Sequence, residues 1–351
     1  MRETAHHNSW GLVFGPKQSV HRFLDRTAAL PNTATSLLPY GNGRSYGDSC
    51  LNDGGSLIDC RSLSRFIAFD EQSGVLRCEA GVMLSHIIDL VLPRGWFLPV
   101  TPGTKFVTVG GAIANDVHGK NHHVNGSFGH HVVRFELLRS DGTRVECSRS
   151  EHSDGYFATI GGLGLTGLIT WAEVRLKPVK GSAIIQRTHR FNHLNEFFEL
   201  SERLGGRHEY AVAWIDCVAN GPRLGRGLFF LGDHDEDPAP VDSKTNSANV
   251  ALSPPFSLIN GASLRIFNSV YFGKGRHFGV ADRVHFDRFF YPLDRIQNWN
   301  RIYGPHGFMQ YQCVVPKSDD GRKAVLDIVQ RIAASGQGSF LAVLKEFGDM
   351  P

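Results

Sequence analysis

The stretch PVTPGTKFVTVGGAIANDVHGKNHH, residues 99–123, decides how this chain is read. Within it Gly110, Gly111 and Ala112 offer almost no side-chain bulk, so a flat or extended ligand can lie directly on the backbone. Asn115, Asp116 and His118 follow at once with polar groups that can orient such a ligand. Upstream stands a second glycine-rich segment, PYGNGRSYGD, residues 39–48. Glycines at 41, 43 and 47 let the chain turn sharply and present successive N–H groups, the concave nest that takes phosphate oxygens. Arg44 adds a bidentate donor for an anion. Alone, this segment reads equally well as a glycine-rich surface turn. Two such loops, separated by strand and helix patterns, point to one large phosphorylated cofactor.

A third segment, GLGLTG at 162–167, matches the dinucleotide fingerprint letter by letter. That fingerprint requires a strand before it and a helix after it. Here alternation from Leu168 onward predicts a strand after it, so a Rossmann site is rejected. His118 and His122 stand four apart, the spacing of a helical metal pair, but Gly119 and Asn121 argue against a helix. No metal site is expected, and His118 is expected to face the ligand of the neighbouring loop.

The flanking pattern is mixed. Leu76, Cys78 and Ala80 alternate with charged residues as in a half-buried strand. Leu84, Ile87, Ile88 and Val91 keep helical spacing up to Pro93 and Gly95. Val133, Phe135 and Leu137 start a strand that leads to an Asp141-Gly142 hairpin turn. In the strand at 168–176, Thr170, Ala172 and Val174 form one face and Glu173 and Arg175 the other. Beyond Lys180, Asn192 is expected to cap a helix burying Leu194, Phe197, Phe198 and Leu204, and residues 208–218 read as a strand. The acidic, proline-containing segment at about 232–249 reads as a mobile loop. Ser318 caps a helix with Val325, Ile328, Val329 and Ile332 inward, ending at Gly336, and 340–347 reads as a strand. The expectation is an α+β chain of two domains, 8–179 and 180–351.

Composition agrees with a globular protein rich in turns: 41% of residues are hydrophobic, 20% charged, and the 39 glycines exceed the roughly 7% that is usual. A net charge of +3 without a Lys/Arg run gives no support for nucleic-acid binding. Six scattered cysteines without a CxxC pair read as reduced thiols of a cytoplasmic protein. No apolar run reaches the ~18 residues of a membrane span.

The strings GNGRSYGD, PVTPGTKFVTVGGAIANDVHGKNHH, GSFG, LRSDG and ATIGGLGLTGLI together resemble the FAD-linked oxidases of the vanillyl-alcohol-oxidase superfamily, with its PCMH-type FAD domain. The similarity runs from about Trp10 to the last residue, and HGKNHH is specific to the branch that oxidises polyprenyl-phosphate-linked ribose. The resemblance implies that Gly41, Asn42, Gly43, Arg44, Ser45, Tyr46 and Gly47 hold the FAD pyrophosphate. It implies that Gly103, Thr108, Val109, Gly110, Gly111, Asn115, Asp116, Val117, His118 and Ile169 line the rest of the cofactor. Relatives that link FAD covalently often carry a histidine where Arg44 stands, so the flavin is expected to be non-covalent.

The second half would then be an α+β cap domain with Trp214, Gln310, Gln312 and Lys345 at substrate-facing positions. Its expected reaction is hydride transfer from a secondary sugar hydroxyl, at C2 of the lipid-linked ribose, to flavin N5. The keto product would pass to a short-chain reductase that completes an epimerisation. Full-length members continue past the position of Pro351, and that further stretch holds the lysine proposed to act near the flavin. The cap is therefore expected to be truncated, with Lys345 as the best remaining base and Tyr46 and His118 behind it. Alternatives are an aldonolactone or alditol oxidase acting on a free sugar, a truncated flavin-binding protein without turnover, and an α+β protein without cofactor. The expected location is cytoplasmic, with peripheral contact at the inner membrane face.

Overall fold

The computed structural model describes residues 7–242, 247–274 and 280–350. These divide into two compact units. The first runs to Gly119 and adds Ser127–Gly181 and His306–Met309. The second holds Lys120–Gly126, the described residues of Ser182–Pro305, and those from Gln310 onward.

In the first unit, β1 (Ser19–Arg22) and β2 (Leu37–Tyr40) flank β3 (Ser56–Asp59) in a parallel three-stranded sheet. All four residues of β3 are buried, as a central strand covered on both faces requires. The larger sheet is antiparallel, in the order β4 (Phe66–Asp70), β5 (Val75–Glu79), β9 (Leu168–Arg175), β7 (Val132–Leu138), β8 (Arg144–Ser148). Between β7 and β8, Gly142 takes φ 83° while the Asp141 carboxylate accepts the Thr143 N–H at 2.9 Å, the hairpin turn its sequence specifies. The expected division of β9 into an inner and an outer face is replaced by burial on both sides. Glu173 is accommodated there by the Arg77 and Arg134 guanidiniums, which hold its carboxyl below the usual carboxylate range against the opposing effect of burial.

Helix α1 (Leu84–Val91) buries Leu84, Ile87, Ile88 and Val91, and Gly95 ends the following turn in the left-handed conformation. The short strands β6 (Trp96–Phe97) and β10 (Lys177–Pro178) pair with each other. Helix α2 (Val109–Ala114) carries the glycine pair. Helix α4 (Ser153–Thr159) precedes the GLGLTG segment and β9 follows it, the reverse of a dinucleotide fold's order.

The second unit is built on an antiparallel sheet in the order β15 (Asp282–His285), β11 (Ala183–Phe191), β13 (Gly227–His234), β12 (Tyr210–Ile215), β17 (Val343–Leu344). Its core joins Phe191, Phe229 and Leu231 to Leu194, Phe197 and Leu200 of α5 (Leu194–Leu204) and Val329 of α8 (Asp319–Ser335). The cap of α5 is His193, one residue after the expected Asn192, because the Glu196 carboxylate already accepts the Asn192 N–H at 2.6 Å. Phe198 of this helix is only half-buried. Ser318 caps α8 as its sequence specifies, but of the four expected inward residues only Val329 is buried and Ile332 is exposed.

Of the strand expected at 340–347, only Val343–Leu344 pair. The segment read as a mobile loop at 232–249 begins inside β13, ends in β14 (Ala248–Asn249), and includes residues 243–246, which lie outside the described residues. The unit also holds α3 (His122–Asn125), α6 (Gly261–Lys274), α7 (Phe286–Phe290) and β16 (Ile296–Gln297), which pairs with β14.

Candidate active site

In the first unit three glycine-rich segments, distant in sequence, are fastened to one another. The Asn42 side-chain amide donates to the Phe106 carbonyl at 2.7 Å, joining the loop after β2 to the loop before α2. A Cβ at Gly41 would lie 2.4 Å from Thr108 Oγ1, so glycine is what lets the first loop cross the start of α2. Thr108 caps that helix, its hydroxyl accepting the Gly111 N–H at 3.2 Å. Gly110 sits tightly on Ala80, whose carbonyl accepts its N–H at 2.8 Å. The third segment joins through Gly161 N–H to Ile113 O at 3.0 Å and Leu163 N–H to Ala114 O at 2.8 Å.

Side chains from the N-terminal arm shape the first loop. The Arg44 guanidinium lies over the Trp10 ring at 4.3 Å and donates to the Asn42 carbonyl at 3.0 Å. The Trp10 N–H donates to Ser45 O at 2.8 Å, and the Tyr46 ring packs against Phe308 at 5.0 Å. Gly43, at φ 59°, is held so close to the Tyr40 hydroxyl and the Asn8 carbonyl that no Cβ fits. At Gly47 and Gly103, by contrast, a Cβ would meet no atom within 4 Å. Peptide N–H groups on glycine, with open space at two of the positions, suit the phosphates and rings of a large dinucleotide cofactor.

The polar residues after α2 have more local work. The Asp116 carboxylate accepts the Gly129 N–H at 2.8 Å from a left-handed backbone, and Asn115 is exposed with its amide on Gly111 O. The Val117 N–H donates to Ala112 O, and His118 forms an isolated β-bridge with Ser127. Ile169 is buried within β9 opposite Leu137.

In the second unit Trp214 lies in β12, 6% exposed, its indole N–H donating to Phe340 O at 2.9 Å. Gln310 and Gln312 are exposed in the extended segment that follows Met309. Lys345 follows β17, and burial lowers its amine to a pKa of about 8.

A residue that the sequence reading passed over stands beside it. Lys120 donates to the Phe289 carbonyl, lies over the Phe289 ring at 4.4 Å, and is pushed down to about 7 by burial and by the Lys345 charge. The segment around it is locked in place. Lys120 O accepts the Ala211 N–H at 2.8 Å, His122 stacks on Phe347 at 4.0 Å, and His123 donates to His208 O at 2.9 Å. The available signal was that residues 117–126 contain no carboxylate to neutralise that lysine. Among the described residues no group of His, Cys, Asp or Glu has the makings of a metal site.

Comparison with known proteins agrees with the cofactor reading. Residues 26–148 match the FAD binding domain family. The chain is 35% identical over 335 residues to decaprenylphosphoryl-beta-D-ribose oxidase of Mycolicibacterium smegmatis, covering 92% of this chain and 72% of that protein. Shorter similarities are to human Delta(24)-sterol reductase, 33% identical over 34% of this chain and 23% of that protein. Mouse L-gulonolactone oxidase is 30% identical over 39% of this chain and 31% of its own length. The chain belongs to the family of FAD-dependent oxidoreductases that includes decaprenylphosphoryl-beta-D-ribose oxidase, and its cofactor is FAD.

Proposed function

We propose that the chain oxidises a secondary hydroxyl, C2, of a ribose carried on a polyprenyl phosphate. The observation that carries this reading is the Lys120–Lys345 pair in the second unit, two amines whose ordinary charge is weakened by burial. Turning a carbinol into a ketone by loss of hydride requires that the hydroxyl proton leave as well, and a neutral amine is a competent acceptor near pH 7–8. FAD, when bound, supplies the hydride acceptor. Lys345, its amine lowered by burial, takes the hydroxyl proton onto Nζ. Trp214, Gln310 and Gln312 orient the sugar. In the first unit, residues 41–47 hold the pyrophosphate without a covalent link, Gly103 and Thr108–Gly111 receive the rest of the cofactor, and Tyr46 and His118 are the alternative proton acceptors to Lys345.

The name of the Mycolicibacterium relative supports a lipid-linked ribose, and its match extends over both units. The L-gulonolactone oxidase match, which supports a free-sugar substrate, covers a much smaller share of the chain. A keto-sugar product leaves a reduction to a separate short-chain reductase. Among the described residues no helix is long and apolar enough to cross a membrane. Contact with a lipid-linked substrate is then made from a cytoplasmic position at the membrane face.

The test uses the FAD-loaded chain with farnesylphosphoryl ribose and a bleachable dye as electron acceptor. Bleaching with that substrate, and none with its 2-deoxy analogue, is the expected result. Turnover of free aldonolactones or alditols with none of the lipid-linked sugar overturns the reading.

A further inference from the structure

Helix α6 buries Leu264, 3% exposed, yet leaves other apolar side chains facing outward. One turn on from Leu264 the buried residue is polar: Asn268, fully buried, donates to Asp216 at 2.8 Å, and Asp216 is paired with Arg226 at 2.8 Å. Three apolar side chains face outward, Ile266 at 67% exposure, Phe267 at 44% and Val270 at 58%. A surface helix ordinarily turns its apolar stripe to the core, and Val270, four residues from Ile266 and three from Phe267, lies next to both. A contiguous exposed apolar face of this kind marks a binding surface.

This face continues inward along a line of rings. Phe267 stacks on Tyr271 at 5.7 Å and 10°, and Tyr271 meets Trp214 edge-on at 4.8 Å and 68°. Phe340 closes one side, its ring 5.6 Å from Phe267 and its carbonyl on the Trp214 indole N–H. Exposure falls from 67% at Ile266 to 6% at Trp214. Helix α6 contains Arg265 and no aspartate or glutamate, so nothing in it repels a phosphate.

We propose that the outer face of α6 and the Phe267–Tyr271–Trp214 line bind the isoprenoid chain of a lipid-linked sugar phosphate, an assignment that rests on the substrate reading above. Such a ligand has an elongated apolar tail for Ile266, Phe267 and Val270, the exposed start of the line that leads to Trp214. A protein partner or a bare bilayer would engage the outer residues without using the line that leads to Trp214.

The test measures farnesyl phosphate, which carries the isoprenoid and phosphate but no sugar, by calorimetric titration of the FAD-loaded chain. Ile266→Ser/Val270→Ser is compared with the parent, and Phe267→Ser serves as a second variant. Thermal melting shows that each is folded. The expected result is binding by the parent and a Kd raised at least tenfold in both variants, with the KM for farnesylphosphoryl ribose raised and kcat unchanged. Equal Kd values in parent and variants, or a parent that binds no farnesyl phosphate, overturn the assignment. A parent that binds farnesyl phosphate normally yet oxidises no lipid-linked ribose instead refutes the substrate reading and leaves the isoprenoid site standing.

Discussion

The side-chain amide of Asn42 donates to the backbone carbonyl of Phe106 at 2.7 Å, so one hydrogen bond ties together two glycine-rich loops that sequence keeps well apart. Each loop alone is an ordinary turn. Joined, they cross where Gly41 passes over Thr108. The bond is thus predicted to matter more to cofactor binding than to folding. Asn42→Ala should weaken FAD binding about tenfold, or about 1.4 kcal/mol. Asn42→Asp, which sets a carboxylate against a carbonyl, should weaken it further. Flavin fluorescence titration of the apo-protein reads both, and unchanged affinity would remove Asn42 from the site.

Gly41→Ala forces its methyl onto Thr108 Oγ1 and displaces the cap of α2. The expected loss is about 1–2 kcal/mol, the usual worth of an N-cap. Thr108→Ala alone should cost about 1 kcal/mol, and the double variant should cost less than the sum because the clash partner has gone. Urea denaturation of the three variants measures the coupling, and additivity would show that the two positions act independently.

Lys120 is the natural test of buried charge. Its pKa is about 7 in the folded chain against an ordinary 10.5, so between those values the unfolded chain binds the extra proton and the folded one does not. Stability then rises with pH across that window, and the penalty of burying the charge is complete below about 7. Lys120→Met should raise the melting temperature at pH 6, on the order of 5 °C, and by much less near pH 10. Scanning calorimetry at the two pH values decides it.

If Lys345 accepts the hydroxyl proton, it must be neutral in the free enzyme. Its lowered pKa of about 8 predicts that kcat/KM climbs with pH and levels above that value. Lys345→Met should lower turnover by at least 100-fold and abolish the ascending limb. A limb that survives in Lys345→Met but disappears in Lys120→Met would transfer the role to Lys120.

The Arg44 guanidinium is engaged by Trp10 and by the Asn42 carbonyl, and a guanidinium is no nucleophile for flavin attachment. Acid precipitation of the purified protein should therefore leave the yellow colour in the supernatant. Colour retained in the pellet would mean a covalent link at another residue.

Read alone, the sequence determined those elements whose cause is local. Alternation set β5 and β9 as strands, 3.6-residue spacing set α1, Asp141-Gly142 set its hairpin, and glycine density marked the loops proposed to hold the cofactor, because each depends on residues within a few positions of one another. Even local signals slipped where side chains compete: Glu196 took the Asn192 N–H, and the cap moved to His193. What only the tertiary structure decided depends on neighbours far along the chain. Glu173 is buried because two arginines from other strands reach it. Lys120, in a segment whose letters drew attention to histidines, becomes a depressed amine because Phe289 and Lys345 surround it. Desolvation and Coulomb repulsion act through space, and no window of sequence contains the atoms that impose them.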